Sequence, residues 1–404
     1  MLKNRLLVLS FFMLSANLLA NGSVDEKLDM GLEKINEIEK KVVYDREIVN
    51  DKAQSISVGD GEKVSVVYNV DYDAAGSYVI FSNSKPDSIK LVNNGKLESY
   101  AEVFTSRHNH DYRNLIHFTN NGIINGTANN ANALTLYAPY VYYKGERGSR
   151  LYGEIYKPLD IEASKFSVVD NAGEIIKGTL ILGKENNLIN RKHGSIDKVG
   201  IIVEEKIRLK NEGKITENTS LHANESIDFE NSGKITGRLS ISKNNFTYQP
   251  YYGYGKKRIL KTKFINNENG LLEFLNSRFS FEIDSPELDF VNKGRIFYSK
   301  DAIIKKEDLK DEVMSRYQKS LGKINIKHYL GRFVNENIID GSIRFEEKID
   351  NNVIDIKPFE IHLEDGILNG GIDIDFDETI SGGKYKGNEI IVSINEVRDI
   401  SEKI

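Results

Sequence analysis

The chain has no cysteine, no tryptophan and only 6 prolines in 404 residues. Without cysteine there is no disulfide, no thiolate metal site and no cysteine nucleophile. Packing and backbone hydrogen bonds must hold the fold by themselves. With 39% hydrophobic residues and a mean hydropathy of −0.42, the composition suits a long, thin core. Positive charge is in short supply as well, since 55 Lys and Arg face 60 Asp and Glu for a net charge of −5. That balance gives no reason to expect nucleic acid as a partner. The G-x-S-x-G elbow, the Walker loop and G-x-G-x-x-G are all missing. Nothing in this inventory points to an enzyme, a cofactor or a bound metal.

A long apolar run is absent too. Leu6–Leu14 is the greasiest stretch, and a membrane anchor takes about 20 such residues. The run follows Lys3 and Arg5 and leads to Leu18, Leu19 and Ala20. A basic start, a short apolar centre and a small residue at the end mark residues 1–20 as a secretory signal peptide. Its removal leaves 53 Lys and Arg against 60 acids, a net charge of −7. The chain is therefore expected outside the inner membrane, on the cell surface or secreted, and in the periplasm if it travels no further.

What the sequence has is a repeated string: apolar, any, Asn, any, Gly, any, apolar. It reads LVNNGKL from Leu91, FTNNGII from Phe118 and VDNAGEI from Val169. It returns as LKNEGKI from Leu209, FENSGKI from Phe229 and FVNKGRI from Phe290. The asparagines are Asn93, Asn120, Asn171, Asn211, Asn231 and Asn292, and the glycines Gly95, Gly122, Gly173, Gly213, Gly233 and Gly294. Variants at Asn190 and Asn266 carry their glycine two residues later, and FVNENII places Asn335 and Asn337 in the two special positions. Asn is the non-glycine residue most tolerant of positive φ, so the Gly position is expected in the left-handed region.

Parity places the asparagine. Ile89, Ile116, Ile207, Ile227 and Leu288 stand four residues before it and share its face in an extended chain, as does the apolar residue two before. The Asn then points inward at a bend, where copies stack into a ladder. From Asn171 through Asn190 and Asn211 to Asn231 the steps are 19, 21 and 20 residues. A unit that returns about every 20 residues and cannot bury its apolar side alone is a solenoid coil. Longer steps, 51 residues from Asn120 to Asn171 and 43 from Asn292 to Asn335, read as coils with inserts. A β-sandwich also alternates and turns often, but it does not explain one bend chemistry at a near-fixed register.

Such strings behind a signal peptide, without cysteine, resemble the passenger regions of bacterial autotransporters and related filamentous, adhesin-like exoproteins. The resemblance covers roughly Ile89 to Gly371. It implies an all-β, right-handed, single-stranded parallel β-helix displayed on or released from a Gram-negative surface. Two features of that family are not found. The chain shows no C-terminal translocating barrel of alternating strands, and no NPNG-type motif. A separate outer-membrane β-barrel is therefore an expected export partner, and the reading frame beyond Ile404 an informative place to look for it.

Around the solenoid (91–371) lie a charged N-terminal helix or linker at 21–50, strands or a cap at 51–90, and C-terminal strands or a cap at 372–404. Leu28, Ile35 and Val42 at heptad spacing suggest a solvated helix. Residues 301–321 have helical spacing and read as an inserted helix. Tyrosine-rich inserts are expected at 137–157 and 246–257. Tyr140, Tyr142, Tyr143, Tyr248, Tyr251, Tyr252 and Tyr254 are the candidate binding residues, because tyrosine offers rigid contact area at low entropic cost. The expected ligand is a host-cell or matrix protein or glycan.

The competing enzymatic reading is glycan cleavage by carboxylates on one strand face. Asp373, Asp375 and Asp377 share such a face, although charge on a terminal edge strand equally protects against aggregation. His108, His110 and His117 are too sparse to argue for Zn²⁺. Asp71, Asp73 and Gly76 only faintly echo a calcium loop. A passive spacer is the third reading.

Overall fold

The structure, a computed structural model, describes residues 24–393 except 52–55, 57, 59–60, 72–77, 81–86, 99, 106–113, 127–131, 154–157, 244–259, 276–280, 300–322, 329, 348–358, 364 and 376–389. The expected signal peptide, the helix at 301–321, Asp377 and the tyrosines Tyr248, Tyr251, Tyr252 and Tyr254 lie outside the described residues.

The chain winds into a parallel β-helix with three faces. The first face is built from the strands that end on the repeated asparagine. Lys206–Asn211 pairs in parallel with Glu185–Asn190 on one side and Ser226–Asn231 on the other, asparagine beside asparagine. This stack runs from Arg46–Asn50 to Ile390–Ser393. A second, short face follows each bend, as in Lys214–Thr216 beside Ser195–Asp197. The third face is longer and includes Asn218–Ala223. A strand in such a column is fed by neighbours one rung away, so order propagates along one dimension. The first face begins at Arg46 and continues past Gly371. The segments at 51–90 and 372–404, expected as strands or a cap, thus supply ladder strands of the same column.

Alternation makes the core. In Lys206–Asn211 every second residue is buried, so Ile207, Leu209 and Asn211 point inward while Lys206, Arg208 and Lys210 point out. Phe229, Phe264, Phe290 and Phe333 occupy one inward column, with ring centroids 4.8, 5.1 and 4.6 Å apart. Burying one such side chain is worth roughly 2–3 kcal/mol, and ring stacking adds about 0.5–1.5 kcal/mol per pair.

The asparagines form a directional chain of amides. Asn171 donates from Nδ2 to Asn190 Oδ1 at 2.9 Å, and Asn190 donates likewise to Asn211 at 2.8 Å. The chain continues to Asn231 at 2.7 Å, then to Asn266, Asn292 and Asn335, each at 2.8 Å. A shorter piece joins Asn93 to Asn120 at 2.9 Å. Between the pieces Gly145 occupies the asparagine register beside Asn120 and Asn171.

The expectation of positive φ at the string glycines is wrong. Four of the residues with positive φ are Lys177 (62°), Lys198 (54°), Glu217 (57°) and Gly237 (92°). Each stands four residues beyond the string-glycine position, at the corner between the second and third faces. The string glycines are required by space. A Cβ on Gly213 would lie 2.2 Å from Gly194 O, and one on Gly233 would lie 2.2 Å from Gly213 O. One bend stacks directly on the carbonyl of the last. Asn337 is likewise absent from the left-handed region. It donates from Nδ2 to Lys293 O at 2.8 Å, so it ties its bend to the rung before.

The tyrosine-rich insert at 137–157 is also corrected. Tyr137 to Tyr143 belong to the strand Leu134–Gly145, which turns the corner from the third face to the first, and Arg150–Gly153 completes that rung on the second face. The missing asparagine hid the string there.

Candidate functional site

Three columns of side chains point outward from the first face, one, three and five residues before each asparagine. They meet two different environments along the solenoid.

Over the earlier rungs the helix Val24–Glu39 lies on this face. Its sequence has apolar residues on one side, and Ile35 and Ile38 pack with Leu115, Tyr142, Phe166 and Val168. Leu28 packs on Ile189. The glycine at position 31 lets the helix come close, because a Cβ there would stand 2.0 Å from Asn187 Nδ2. The helix is therefore docked on the column, not a solvated linker. At its C-terminal end Glu39 Oε1 accepts hydrogen bonds from Lys90 Nζ at 2.9 Å and His117 Nδ1 at 3.0 Å. The His117 contact, with Lys90 assisting and burial opposing, holds the Glu39 carboxyl down to about 2. The His117 ring lies 4.6 Å from that of Tyr142.

This places Tyr142 and Tyr143 away from recognition. Tyr143 is in the main core at 1% exposure, and Tyr142 is buried at 9% beneath the helix. Burial pushes both phenols well above their usual range. Tyr140 packs against the same helix cluster, with Lys34 Nζ 5.7 Å from its ring centroid. Strands carry Tyr143 into the core and Tyr142 beneath the helix, away from any outside ligand, and Tyr140 is half-buried beside the helix. From the register of Phe118 and Val169, the Tyr143 hydroxyl reaches the space left beside Gly145 and hydrogen-bonds Asn120.

At the helix's N-terminal end, which reaches the strands Lys206–Asn211 and Ser226–Asn231, the same face opens into a shallow groove of about 520 Å³ lined by Asp228, Lys263, Asp289, Arg332 and Glu360, with Lys261 and Glu287 beside them. Register rather than coincidence aligns these charges. Asp228 pairs with Lys263, Lys263 with Asp289, Asp289 with Arg332, and Arg332 with Glu360. Arg332 Nε donates to Asp289 Oδ1 at 2.7 Å, and the Asp289 contact raises the already high Arg332 pKa. Lys261 Nζ lies 2.7 Å from Glu287 Oε2. A less polar strip, Ile265, Val291 and Val334, runs one column over. The sequence reading missed this row. Its signal was the residue three before each asparagine, which alternates in sign from Asp228 to Arg332.

Elsewhere the candidates do not assemble. Asp373 is exposed on the strand Ile372–Asp375 and stands beside Arg344 of the preceding rung, with Asp375 beside Glu346. His222 bonds Ser242 at 2.8 Å and His362 bonds Glu360 at 3.0 Å. Burial lowers the pKa of His222. Among the described residues no cluster of three His, Asp or Glu side chains is placed to hold a metal ion.

Comparison of the chain with known protein families, with curated proteins and with solved structures returns no match.

Proposed function

We propose that this protein is an exported β-solenoid, surface-associated or secreted, that works by recognition along its flank in the manner of the adhesin-like exoproteins it resembles. One observation carries the reading. Among the described residues the inward positions are filled from rung to rung by apolar side chains and amides, mostly at 0–2% exposure, which leaves no room among them for a ligand. Chemistry with other molecules is then left to the outside, where the first face offers an open, shallow groove. Many weak contacts along such a surface add up without a deep pocket. A host-cell or matrix protein or glycan is the proposed partner, and a separate outer-membrane barrel the proposed exporter.

The test is binding of the full chain to immobilised matrix proteins and glycans, with and without residues 246–257. Saturable binding that weakens on deletion, with the fold intact by circular dichroism, supports the reading. Release of glycan fragments that Asp373→Asn abolishes would overturn it in favour of catalysis. Absence of binding to every target would overturn it in favour of a spacer.

A further inference from the structure

The first face begins on a bare edge. Arg46–Asn50 pairs with Lys63–Tyr68 on one side and, among the described residues, with no strand on the other. Burial shows the same opening. Arg46 has the parity of the core residues Val64 and Ile89, yet it is exposed, and Ile48 is only half-buried against the core. Val49 is 59% exposed on the outer side, and Val43, on the chain leading in, is 76% exposed. A strand edge left in this state is a template for another strand.

Backbone alternation fixes which groups are free. Asn50 O accepts from Asn69 N–H at 3.0 Å. In this parallel pair Arg46, Ile48 and Asn50 therefore turn their peptide groups toward Lys63–Tyr68, and Glu47 and Val49 turn theirs to the open side. Ahead of them the edge closes, since Asp45 N donates to Lys63 O at 2.7 Å.

We infer that this edge is a two-fold interface, at which Arg46–Asn50 pairs antiparallel with the same strand of a second copy. With the axis normal to the first face and Ile48 at the dyad, Glu47 stands opposite the other copy's Val49. These are the residues with free peptide groups, and antiparallel residues so placed exchange both their hydrogen bonds. Ile48 meets its own counterpart on the inner side, so the two cores join. Arg46 stands opposite the Asn50 amide, and no like charges face each other. Head-to-tail stacking fails on the same residue. One inward column runs from Arg46 and Val64 to Phe359 and Ile390, so the far end of another copy would set Ile390 against the Arg46 cation, which is costly. A contact that is its own complement also closes at two copies.

The strand is short, 5 residues or about 17 Å. The buried area is accordingly below the ~800 Å² per partner of a standard interface, and dissociation is expected at roughly 10–500 μM. None of this depends on the recognition role proposed above.

Sedimentation equilibrium of the full chain up to about 500 μM is expected to show monomer and dimer. Val49→Glu places a carboxylate opposite Glu47 twice and is expected to weaken self-association about tenfold or more. Val49→Lys places an ammonium there and is expected to keep or tighten it. Loss of apolar area alone would weaken both variants alike. Because the chain has no cysteine, a single introduced thiol reports the register. Ile48→Cys is expected to form an interchain disulfide with glutathione disulfide as oxidant, well ahead of Glu47→Cys, whose thiols lie too far apart across the dyad. Thermal melts confirm that each variant folds. A wild type that stays monomeric across the range overturns the proposal, as do assemblies that grow beyond two copies. So does a Val49→Glu chain that associates as well as the wild type, equal weakening in both Val49 variants, or cross-linking with no preference for position 48.

Discussion

Asn190 donates its side-chain amide to Asn211 Oδ1 across 2.8 Å, and Asn211 donates onward to Asn231 at 2.7 Å. Each interior member of the row thus accepts from one rung and donates to the next, in a site closed to water. Removal of Asn211 leaves a buried donor on one side and a buried acceptor on the other. Asn211→Ala is expected to destabilise the protein by about 3 kcal/mol or more. At the head of the row, Asn171 Oδ1 already lacks a partner, and Asn171→Ala should cost about 1 kcal/mol less. Denaturant melts of the two variants check the difference. Equal losses would show that the amides act separately.

The string glycines are expected to reject even a methyl group. In Gly213→Ala the new carbon would sit 2.2 Å from Gly194 O and 2.4 Å from Arg191 O, both backbone atoms. The two rungs must part locally, at a cost of about 3 kcal/mol. A melting temperature unchanged from the wild type would contradict this.

Four residues further on the effect reverses. Glu217 holds φ at 57°, a conformation that strains any residue with a Cβ. Glu217→Gly relieves the strain and is expected to stabilise by about 1 kcal/mol. It also loses the contact of Lys198 Nζ with Glu217 Oε2, but those side chains are 47% and 52% exposed, where an ion pair contributes little. A lower melting temperature for the variant would rule out strain as the dominant effect.

The seat of the helix should depend on pH. Glu39 titrates at about 2 in the folded chain against an ordinary 4.5. A depressed carboxyl contributes stability that is full above its ordinary value and is lost as pH falls from about 4.5 toward 2. Amide protection of Val24–Glu39 is expected to fall over that window before the solenoid itself opens. Glu39→Gln should flatten the dependence, as hydrogen exchange can show.

Legibility in the sequence followed the local physics. The asparagine register was readable because parity and spacing both act within one coil, and the stacked pairs Asn190–Asn211 and Asn211–Asn231 occupy neighbouring rungs. The purpose of the glycines was not, because the obstructing carbonyl belongs to another rung about 20 residues away. Nor was the coil at Tyr140–Gly145, where glycine and a tyrosine replace the marker. The docked helix had left a trace. Leu115, Phe166 and Val168 are apolar at outward positions, so their strands are greasy at both parities, as in strands buried on both faces. The groove was missed because charge alternation three residues before Asn has meaning only once the rungs are stacked.

The helix also bears on the order of assembly. Val24–Glu39 is synthesised before every strand it rests on, yet its seat is made by Leu115, Phe166 and Ile189, far later in the chain. It is born first and settles last. Once in place it clamps several rungs that would otherwise open one at a time, so the early half of the column should behave as a single latched block, and the later half should fray from its far end.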